Sequence, residues 1–277
     1  MPLVNIADII TPAAMTGRPV GAFNVVQLEH AEAIVAGAER AQAPVVLQIS
    51  ENCARYHGAL APIGAATLAV ARVATVPVAV HLDHATTADL VREAVRLGFG
   101  SVMYDASALG HDANIAATRD VTGWCHRHDV WVEAELGEIG GKDGVHAPGV
   151  RTDPADAAAY VQATGVDALA VAVGSSHAML TRDAVLDLDL IAEIHAAVPV
   201  PLVLHGSSGV PDTTLTAAAR RGMTKINLAT HLNKVFTTAI RDHLTREQHT
   251  ADPRAYGATG RAALSNEVTR LLTKVLV

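Results

Sequence analysis

Eight short runs of β-branched and other apolar residues recur along the chain, and they constrain its fold more than any other feature. The runs span residues 20–25, 44–49, 77–83, 100–105, 130–136, 167–174, 200–206 and 223–227. Successive runs start 23 to 37 residues apart, with segments of helical pattern rich in Ala, Leu, Arg and Glu between them. Each interval suits one strand–loop–helix–loop unit.

Several of these runs are almost continuously apolar, which is typical of parallel strands buried on both faces. Eight such units in 277 residues predict a TIM (β/α)8 barrel, since one barrel of this kind takes about 250 residues. The alternative, a doubly wound open sheet, is less favoured because no Gly-x-Gly-x-x-Gly follows the first run. We predict one barrel domain over residues 1–277. Its C-terminal extension starts at about residue 249, is irregular to residue 260 and is helical over 261–277.

Composition excludes several classes of protein. Half of the residues are hydrophobic and 18% are charged, which favours a large core and excludes general disorder. The net charge of −7 and the lack of a basic cluster argue against nucleic acid or an anionic membrane as partner. The apolar runs are too short to cross a membrane. Two cysteines and an N-terminus without a cationic leader predict a cytoplasmic protein.

Polar residues lie at the carboxyl ends of all eight predicted strands. In a barrel these ends form one rim, and the rim holds the active site. The candidates there include Asn24, Ser50, Asp83, His84, Asp105, Glu135, His177, His205, Asn227 and Thr230. This concentration of ionisable groups favours an enzyme.

Three of the rim residues, His84, His177 and His205, follow strands three, six and seven. Three imidazoles can bind zinc and leave a fourth position open, as in catalytic zinc sites. Imidazole ligands also suit iron, cobalt and nickel. Asp83 lies beside this site, where it is a candidate general acid or base; the alternative role is a helix cap.

The loops after strands seven and eight are the usual phosphate site of this fold. Here they carry the segments 205–209, with Gly-Ser-Ser-Gly after a histidine, and 227–230. A plain turn is the alternative for the first segment. Lys225 in strand eight leaves Schiff-base chemistry open, although the histidines favour a metal. A metal that polarises a ketone, a carboxylate that moves a proton and a phosphate site are what carbon–carbon bond cleavage beside a carbonyl requires.

Six motifs in chain order make this sequence resemble the class II, zinc-dependent ketose-bisphosphate aldolases, which include fructose- and tagatose-1,6-bisphosphate aldolases. The motifs are His81-Leu82-Asp83-His84, Glu133-Ala134-Glu135-Leu136-Gly137 with Gly140-Gly141, Gly174-Ser175-Ser176-His177, His205-Gly206-Ser207-Ser208-Gly209, Lys225-Ile226-Asn227-Leu228-Ala229-Thr230 and Asp252-Pro253-Arg254. The resemblance covers essentially the whole chain. It implies reversible cleavage of a ketose 1,6-bisphosphate to dihydroxyacetone phosphate and glyceraldehyde 3-phosphate.

The resemblance also implies the roles of the site residues. Zn²⁺ would be bound by His84, His177 and His205, while Asp105 and Glu135 would hold a displaced or second metal. Asp83 matches the acid that transfers the proton of the C4 hydroxyl. Gly206, Ser208, Asn227 and Thr230 match residues that hold the phosphate and the enediolate of dihydroxyacetone phosphate. Asn24, Ser207 and Ala229 are further expected substrate-binding residues.

The second phosphate of the substrate has its own matching residues. Ser50 matches a serine near this phosphate, and Arg254 matches an arginine that reaches it, in relatives from a neighbouring subunit. The expected partners are therefore a phosphorylated small molecule and further copies of the chain, as a homodimer or homotetramer.

The chain departs from the family pattern at three positions. Asp143 stands where the family has a glutamate base in the loop after strand five, so Asp143 is the predicted base and Glu138 the fallback. Ala178 replaces a frequent glycine near the carbonyls that hold a monovalent cation, Na⁺ or K⁺. Ala229 follows the tagatose-type pattern, whereas Ser50 follows the fructose-type one. Fructose 1,6-bisphosphate is the first expectation and tagatose 1,6-bisphosphate the next.

Three alternative functions remain open at this stage. A dihydroxyacetone-phosphate aldolase with a different aldehyde acceptor would serve a specialised biosynthetic or catabolic pathway. A non-catalytic phosphosugar-binding helper subunit would need no metal. A metal-dependent hydrolase or isomerase would bind metal without aldol cleavage.

Overall fold

The computed structural model describes residues 2–136, 151–176 and 179–277. These residues form a closed barrel of eight parallel strands in the order of the sequence. The strands are β1 (Val20–Asn24), β2 (Val45–Ser50), β3 (Val78–Ala85), β4 (Ser101–Tyr104), β5 (Trp131–Glu135), β6 (Ala168–Ala170), β7 (Leu202–Leu204) and β8 (Met223–Leu228). The predicted TIM barrel is confirmed.

Eleven α-helices lie in the described part of the chain, and most of them alternate with the strands. They are α1 (Ala7–Thr16), α2 (Leu28–Ala41), α3 (Glu51–Tyr56), α4 (Leu60–Val73), α5 (Ala88–Leu97), α6 (His111–His126), α7 (Pro154–Thr164), α8 (Leu188–Ala197), α9 (Asp212–Arg220), α10 (Thr230–Arg246) and α11 (Pro253–Lys274). Thr87, Asp153 and Asp187 cap α5, α7 and α8, where their side-chain oxygens accept backbone N–H groups. None of the helices described here is long and apolar enough to cross a membrane.

Helix α1 closes the amino end of the barrel. Ile6, Ile9 and Ile10 are buried there in one cluster with Val20 and Val46, at the starts of β1 and β2. Since apolar side chains fill this end, the polar rim at the opposite, carboxyl end is the one that remains accessible to a substrate.

The carboxyl ends of β6 and β7 are shorter than the sequence predicts. We expect strands over 167–174 and 200–206, but the ladders stop at Ala170 and Leu204. Val171 still donates its N–H to Val203 of β7, but the residues after it are bonded to loops: the N–H of Thr152 donates to the carbonyl of Ala172 at 2.9 Å. A loop with hydrogen bonds of this kind has no pattern in its sequence that would distinguish it from a strand.

The last helix begins earlier than the sequence predicts. Residues 253–260 are helical rather than irregular, because Asp252 caps α11 and Pro253 occupies its first turn. The glycines in this stretch suggest a loop, but Gly260 is a packing position: a Cβ there would lie 2.7 Å from the ring of Phe236 on α10. The close approach of the two helices requires glycine.

Helices α10 and α11 form an antiparallel pair, the helical arm (residues 230–274). His231 bonds Glu267 at one end of the pair, and His243 bonds Thr259 towards the other. Helix α10 starts at the rim after β8 and has 17 residues, a length of about 25 Å. The turn of the arm is therefore about 25 Å from the rim along α10.

Candidate active site

Asp83 and His84 both reach the barrel mouth because the end of β3 is irregular. Neighbouring residues of a regular strand point to opposite faces. The pairing of β3 with β4 shifts register between Leu82 and Ala85, and His84 has a left-handed φ of 52°. This bulge turns two consecutive polar side chains towards one site.

Ligand atoms for a metal gather around these two residues. Atoms of Asp83, His84 and His205 lie within 4.8 Å of one another, and so do atoms of His84, Asp105 and Glu135. His84 Nδ1 lies 3.0 Å from Asp105 Oδ2. This contact fixes the ring and presents the opposite nitrogen, Nε2, 4.0 Å from Asp83 Oδ1.

Glu135 is the most unusual member of this group. It is buried, and within the described residues neither of its carboxylate oxygens accepts a hydrogen bond. Burial raises the pKa of Glu135 to about 8. A buried carboxylate without a protein donor is suited to a cation.

The charges around His84 also favour a cation. Burial alone would lower the pKa of His84, but the negative charge of Asp83 and the hydrogen bond to Asp105 raise it to about 10. The same negative charge would favour a bound metal ion. The donor set, imidazole nitrogen with carboxylate oxygen, fits zinc.

Asp83 is held in place by a chain of two amides. Asn24 Nδ2 donates to Asp83 Oδ2 at 3.0 Å, and Gln48 Nε2 donates to Asn24 Oδ1 at 2.7 Å. Asp83 Oδ1 has no hydrogen-bond partner among the described residues. One oxygen of the carboxylate is therefore anchored and the other faces the site, so Asn24 acts here on Asp83.

His205, at the end of β7, is anchored from inside the barrel. Its Nε2 lies 2.9 Å from Glu133 Oε1, and Lys225 Nζ donates to Glu133 Oε2 at 2.8 Å. His81 Nε2 lies 3.8 Å from the same Oε2. Burial and the neighbouring Lys225 hold the pKa of His81 well below its usual range.

The turn after β7 is shaped by glycine and serine. Gly206 has φ of 66°, and a Cβ there would lie 2.7 Å from the carbonyl of Ser176. Ser207 Oγ donates to the carbonyl of Leu204 at 3.0 Å, which stabilises the 3₁₀ turn Ser207–Gly209. Ser208 Oγ accepts the N–H of Ala229 at 3.2 Å, so the loops after β7 and β8 are joined.

Five of the substrate-binding candidates line two cavities. One of about 480 Å³ is lined by Asn24, Ser50, His84, Asp105 and Ala229, together with Glu51, Asn52, Arg55 and Thr86. The other, of about 470 Å³, includes Ser208 and Thr230 with Arg182, His231 and Lys234. Ser50 also caps α3, where its Oγ accepts the N–H of Cys53. Asn227 is buried beside the mouth.

Among the site candidates that the structure describes, Arg254 is not brought together with the others. His177 and Asp143 lie outside the described residues, as do Glu138 and Ala178. Arg254 lies near the turn of the helical arm, with 90% of its side chain exposed and a salt bridge to Asp252. It is remote from the rim of its own barrel.

Gln48, Glu133 and Arg55 take part in the site but are not predicted as site residues from the sequence. A signal for the interior residues was present, because strand residues two apart share a face. Glu133 is two residues before Glu135, Lys225 two before Asn227, and His81 two before Asp83. No such periodicity applies to Arg55 in α3.

Both the sequence and the fold of this chain are similar to those of known proteins. The family model for class II fructose-bisphosphate aldolase matches residues 4–276. The crystal structure of the YdjI aldolase from Escherichia coli K12 is 28% identical with a TM-score of 0.86, over 99% of this chain and 98% of that chain.

Two further structures are similar. A protein from Coccidioides immitis, described as a fructose-1,6-bisphosphate aldolase, is 27% identical with a TM-score of 0.86, over 98% of this chain and 96% of its own. A fructose-bisphosphate aldolase from Campylobacter jejuni is 20% identical with a TM-score of 0.84, over 98% and 93% of the two chains, and supports the fold alone. From the family match and the barrel, this chain belongs to the class II fructose-bisphosphate aldolase family and is an aldolase, a carbon–carbon lyase.

Proposed function

We propose that this aldolase is zinc-dependent and reversibly cleaves fructose 1,6-bisphosphate to dihydroxyacetone phosphate and glyceraldehyde 3-phosphate. The observation that carries the proposal is the convergence of Asp83, His84, His205 and Glu135 at the barrel mouth. The turn Ser207–Gly209, a candidate phosphate site, adjoins them.

His84 and His205 would hold the zinc ion, with His177 as the third ligand that the family resemblance implies. Asp105 and Glu135 offer a second position beside His84. When bound, zinc supplies Lewis-acid polarisation of the substrate's C2 carbonyl. The protein's contribution is a buried set of nitrogen and oxygen donors with surplus negative charge.

Asp83 is the proposed proton acceptor in the direction of cleavage. As the C3–C4 bond breaks, its electron pair moves onto C3 and the C2 oxygen, and the C4 hydroxyl becomes an aldehyde. The hydroxyl proton passes to Asp83 Oδ1, while Oδ2 stays bonded to Asn24. The enediolate then takes a proton at C3, for which the family pattern supplies Asp143.

Arg254 is proposed to act between subunits of a homodimer or homotetramer. The turn of the helical arm is too far from its own rim, so the arginine would bind the C6 phosphate in a neighbouring copy. We expect Arg254→Met to lower kcat/KM for fructose 1,6-bisphosphate by about 10–100-fold, the loss of one charge-assisted contact. Cleavage of fructose 1-phosphate should be unchanged, as should both activities in Arg246→Met at the exposed end of α10.

Mixed oligomers test whether Arg254 acts in the active site of a neighbouring subunit. Subunits carrying Arg254→Met are mixed with subunits carrying Asp83→Ala and allowed to exchange. A mixed dimer contains one site with Asp83 from one chain and Arg254 from the other, so fructose 1,6-bisphosphate cleavage should rise above that of either variant alone. If mixing restores nothing although exchange is demonstrated, the arginine does not act between subunits.

The decisive test of the proposed reaction compares fructose 1,6-bisphosphate with tagatose 1,6-bisphosphate, each with and without a chelator. Release of triose phosphate is followed in a coupled assay. We expect chelator-sensitive cleavage, restored by zinc, with the fructose epimer the better substrate. Faster cleavage of the tagatose epimer would change the substrate assignment, and chelator-insensitive cleavage would refute the metal.

A second candidate keeps dihydroxyacetone phosphate and changes the aldehyde. The observation in its favour concerns the cavity beside His84. Arg55 and Ala229 line this cavity, whereas Arg254 of the same chain does not. If neither bisphosphate is cleaved by zinc-loaded protein, condensation of dihydroxyacetone phosphate with a panel of aldehydes decides between this candidate and a helper subunit.

A further inference from the structure

We propose that Glu133 and Lys225 are a positioning pair that fixes which nitrogen of His205 is presented to the metal. The proposal rests on the zinc-dependent function proposed above. It assigns a task to a charged pair inside the barrel that the reaction itself does not use.

The pair crosses the barrel interior. Glu133 is on β5 and Lys225 on β8, strands that are not neighbours in the sheet. Both side chains are fully buried, and Lys225 Nζ lies 2.8 Å from Glu133 Oε2. The other oxygen, Oε1, lies 2.9 Å from His205 Nε2. One carboxylate therefore connects the lysine to the histidine.

This geometry decides the tautomer of His205. A carboxylate accepts hydrogen bonds, so the nitrogen facing it, Nε2, carries the proton. A protonated nitrogen cannot bind a metal, and Nδ1 is then the ligand atom towards Asp83 and His84. A carboxylate behind a metal-binding histidine also fixes the ring plane and strengthens the ring as a donor.

His84 follows the same rule with the nitrogens reversed. Its Nδ1 is paired with Asp105, which leaves Nε2 for the metal. The carboxylates behind the two histidines differ in their exposure. The side chain of Asp105 is 16% exposed, whereas that of Glu133 is 0% exposed. Glu133 has no access to water and needs a cation from the protein.

Lys225 supplies that cation. Isolated burial of a carboxylate is very costly, and a paired ammonium offsets much of the cost. This arrangement also argues against Lys225 as a Schiff-base nucleophile, because its Nζ is buried and occupied by the contact with Glu133. His81 lies between Ser101 and the Glu133 carboxylate, with Nδ1 3.0 Å from Ser101 Oγ and Nε2 3.8 Å from Glu133 Oε2.

The experiment compares two double variants in which both charges are removed. In Glu133→Gln with Lys225→Met, the amide oxygen still accepts the His205 proton. In Glu133→Leu with Lys225→Met, no acceptor remains. Removing both partners avoids an uncompensated buried charge, and melting temperatures of the metal-free proteins check that the two variants fold equally well.

Zinc affinity is measured by competition with a chelator of known affinity. We expect the Leu variant to bind zinc about 10–100-fold more weakly than wild type, and the Gln variant to keep most of the affinity. Absorption of the cobalt-substituted proteins should change in the Leu variant only. Equal zinc affinity in the Leu variant and wild type would overturn the proposal.

A measurement on the unmodified protein needs no variant. With ¹⁵N-labelled histidine, the zinc-loaded wild type should show His205 protonated at Nε2 and metal-bound at Nδ1. The reverse pattern would overturn the proposal while leaving the aldolase function intact. If wild-type protein binds no zinc at all, the proposed function itself fails, and this inference fails with it.

Discussion

Replacing Asp83 with alanine is expected to lower kcat for fructose 1,6-bisphosphate cleavage by about 10²–10⁴-fold, the usual contribution of a general acid or base. The reason is geometric: Asn24 anchors Oδ2, and Oδ1 is left facing the site. Zinc should remain bound, because His84 and His205 do not depend on Asp83 for their own anchors, Asp105 and Glu133.

Metal content and kcat are measured on the same preparation of Asp83→Ala. Asp89→Ala, an exposed residue in the first turn of α5, is the matched control and should keep wild-type cleavage. Loss of zinc together with activity would mean that Asp83 is a metal ligand, which its position within 4.8 Å of the other ligand atoms would explain. Near-normal turnover with zinc bound would refute the assignment of the acid.

The second large effect is expected for His205→Ala, which should remove zinc and activity together. Loss of Lewis-acid stabilisation worth several kcal/mol corresponds to a fall of about 10³-fold or more in kcat/KM. The variant also leaves the carboxylate of Glu133 without its contact to the imidazole. We expect saturating zinc to restore only a small part of the activity.

Zinc stoichiometry by mass spectrometry and kcat/KM are the two readouts for His205→Ala. His195→Ala, on the exposed face of α8, is the matched control and should retain both. Full activity in His205→Ala with tightly bound zinc would contradict the ligand assignment. A folded, zinc-free variant with undiminished cleavage would refute the metal mechanism as a whole.

The barrel was predictable because its signal is local and repeated. Eight apolar runs at regular intervals, each followed by a helical pattern, are set by residues adjacent in the chain. Strand ends in a barrel lie on one rim, so the polar residues after the runs, such as Asp83 and His205, were also predictable. The ends of β6, β7 and α11 were not, because loop pairing and the contact of Gly260 with Phe236 are made by residues distant in sequence.

The orientation of the site residues was decided by the tertiary structure. Asp83 and His84 are neighbours that a regular strand would separate, and the bulge at the end of β3 brings them together. Asn24 is predicted to bind substrate, and only the structure shows that its amide is bonded to Asp83. Arg254 is predicted from its motif as a phosphate ligand, but its place on the arm, remote from the rim of its own barrel, is indicated by no local pattern.

The sequence by itself therefore determined the family, the barrel and the identity of the rim residues, because hydrophobic periodicity and motif order are properties of the chain. Only the tertiary structure decided which side-chain atoms of the rim and of the barrel interior contact one another. Glu133 and Lys225 are separated by 92 positions, and nothing in the sequence of either strand indicates that the two charges pair. Closing the barrel places them 2.8 Å apart beneath His205, since non-adjacent strands meet only across its interior.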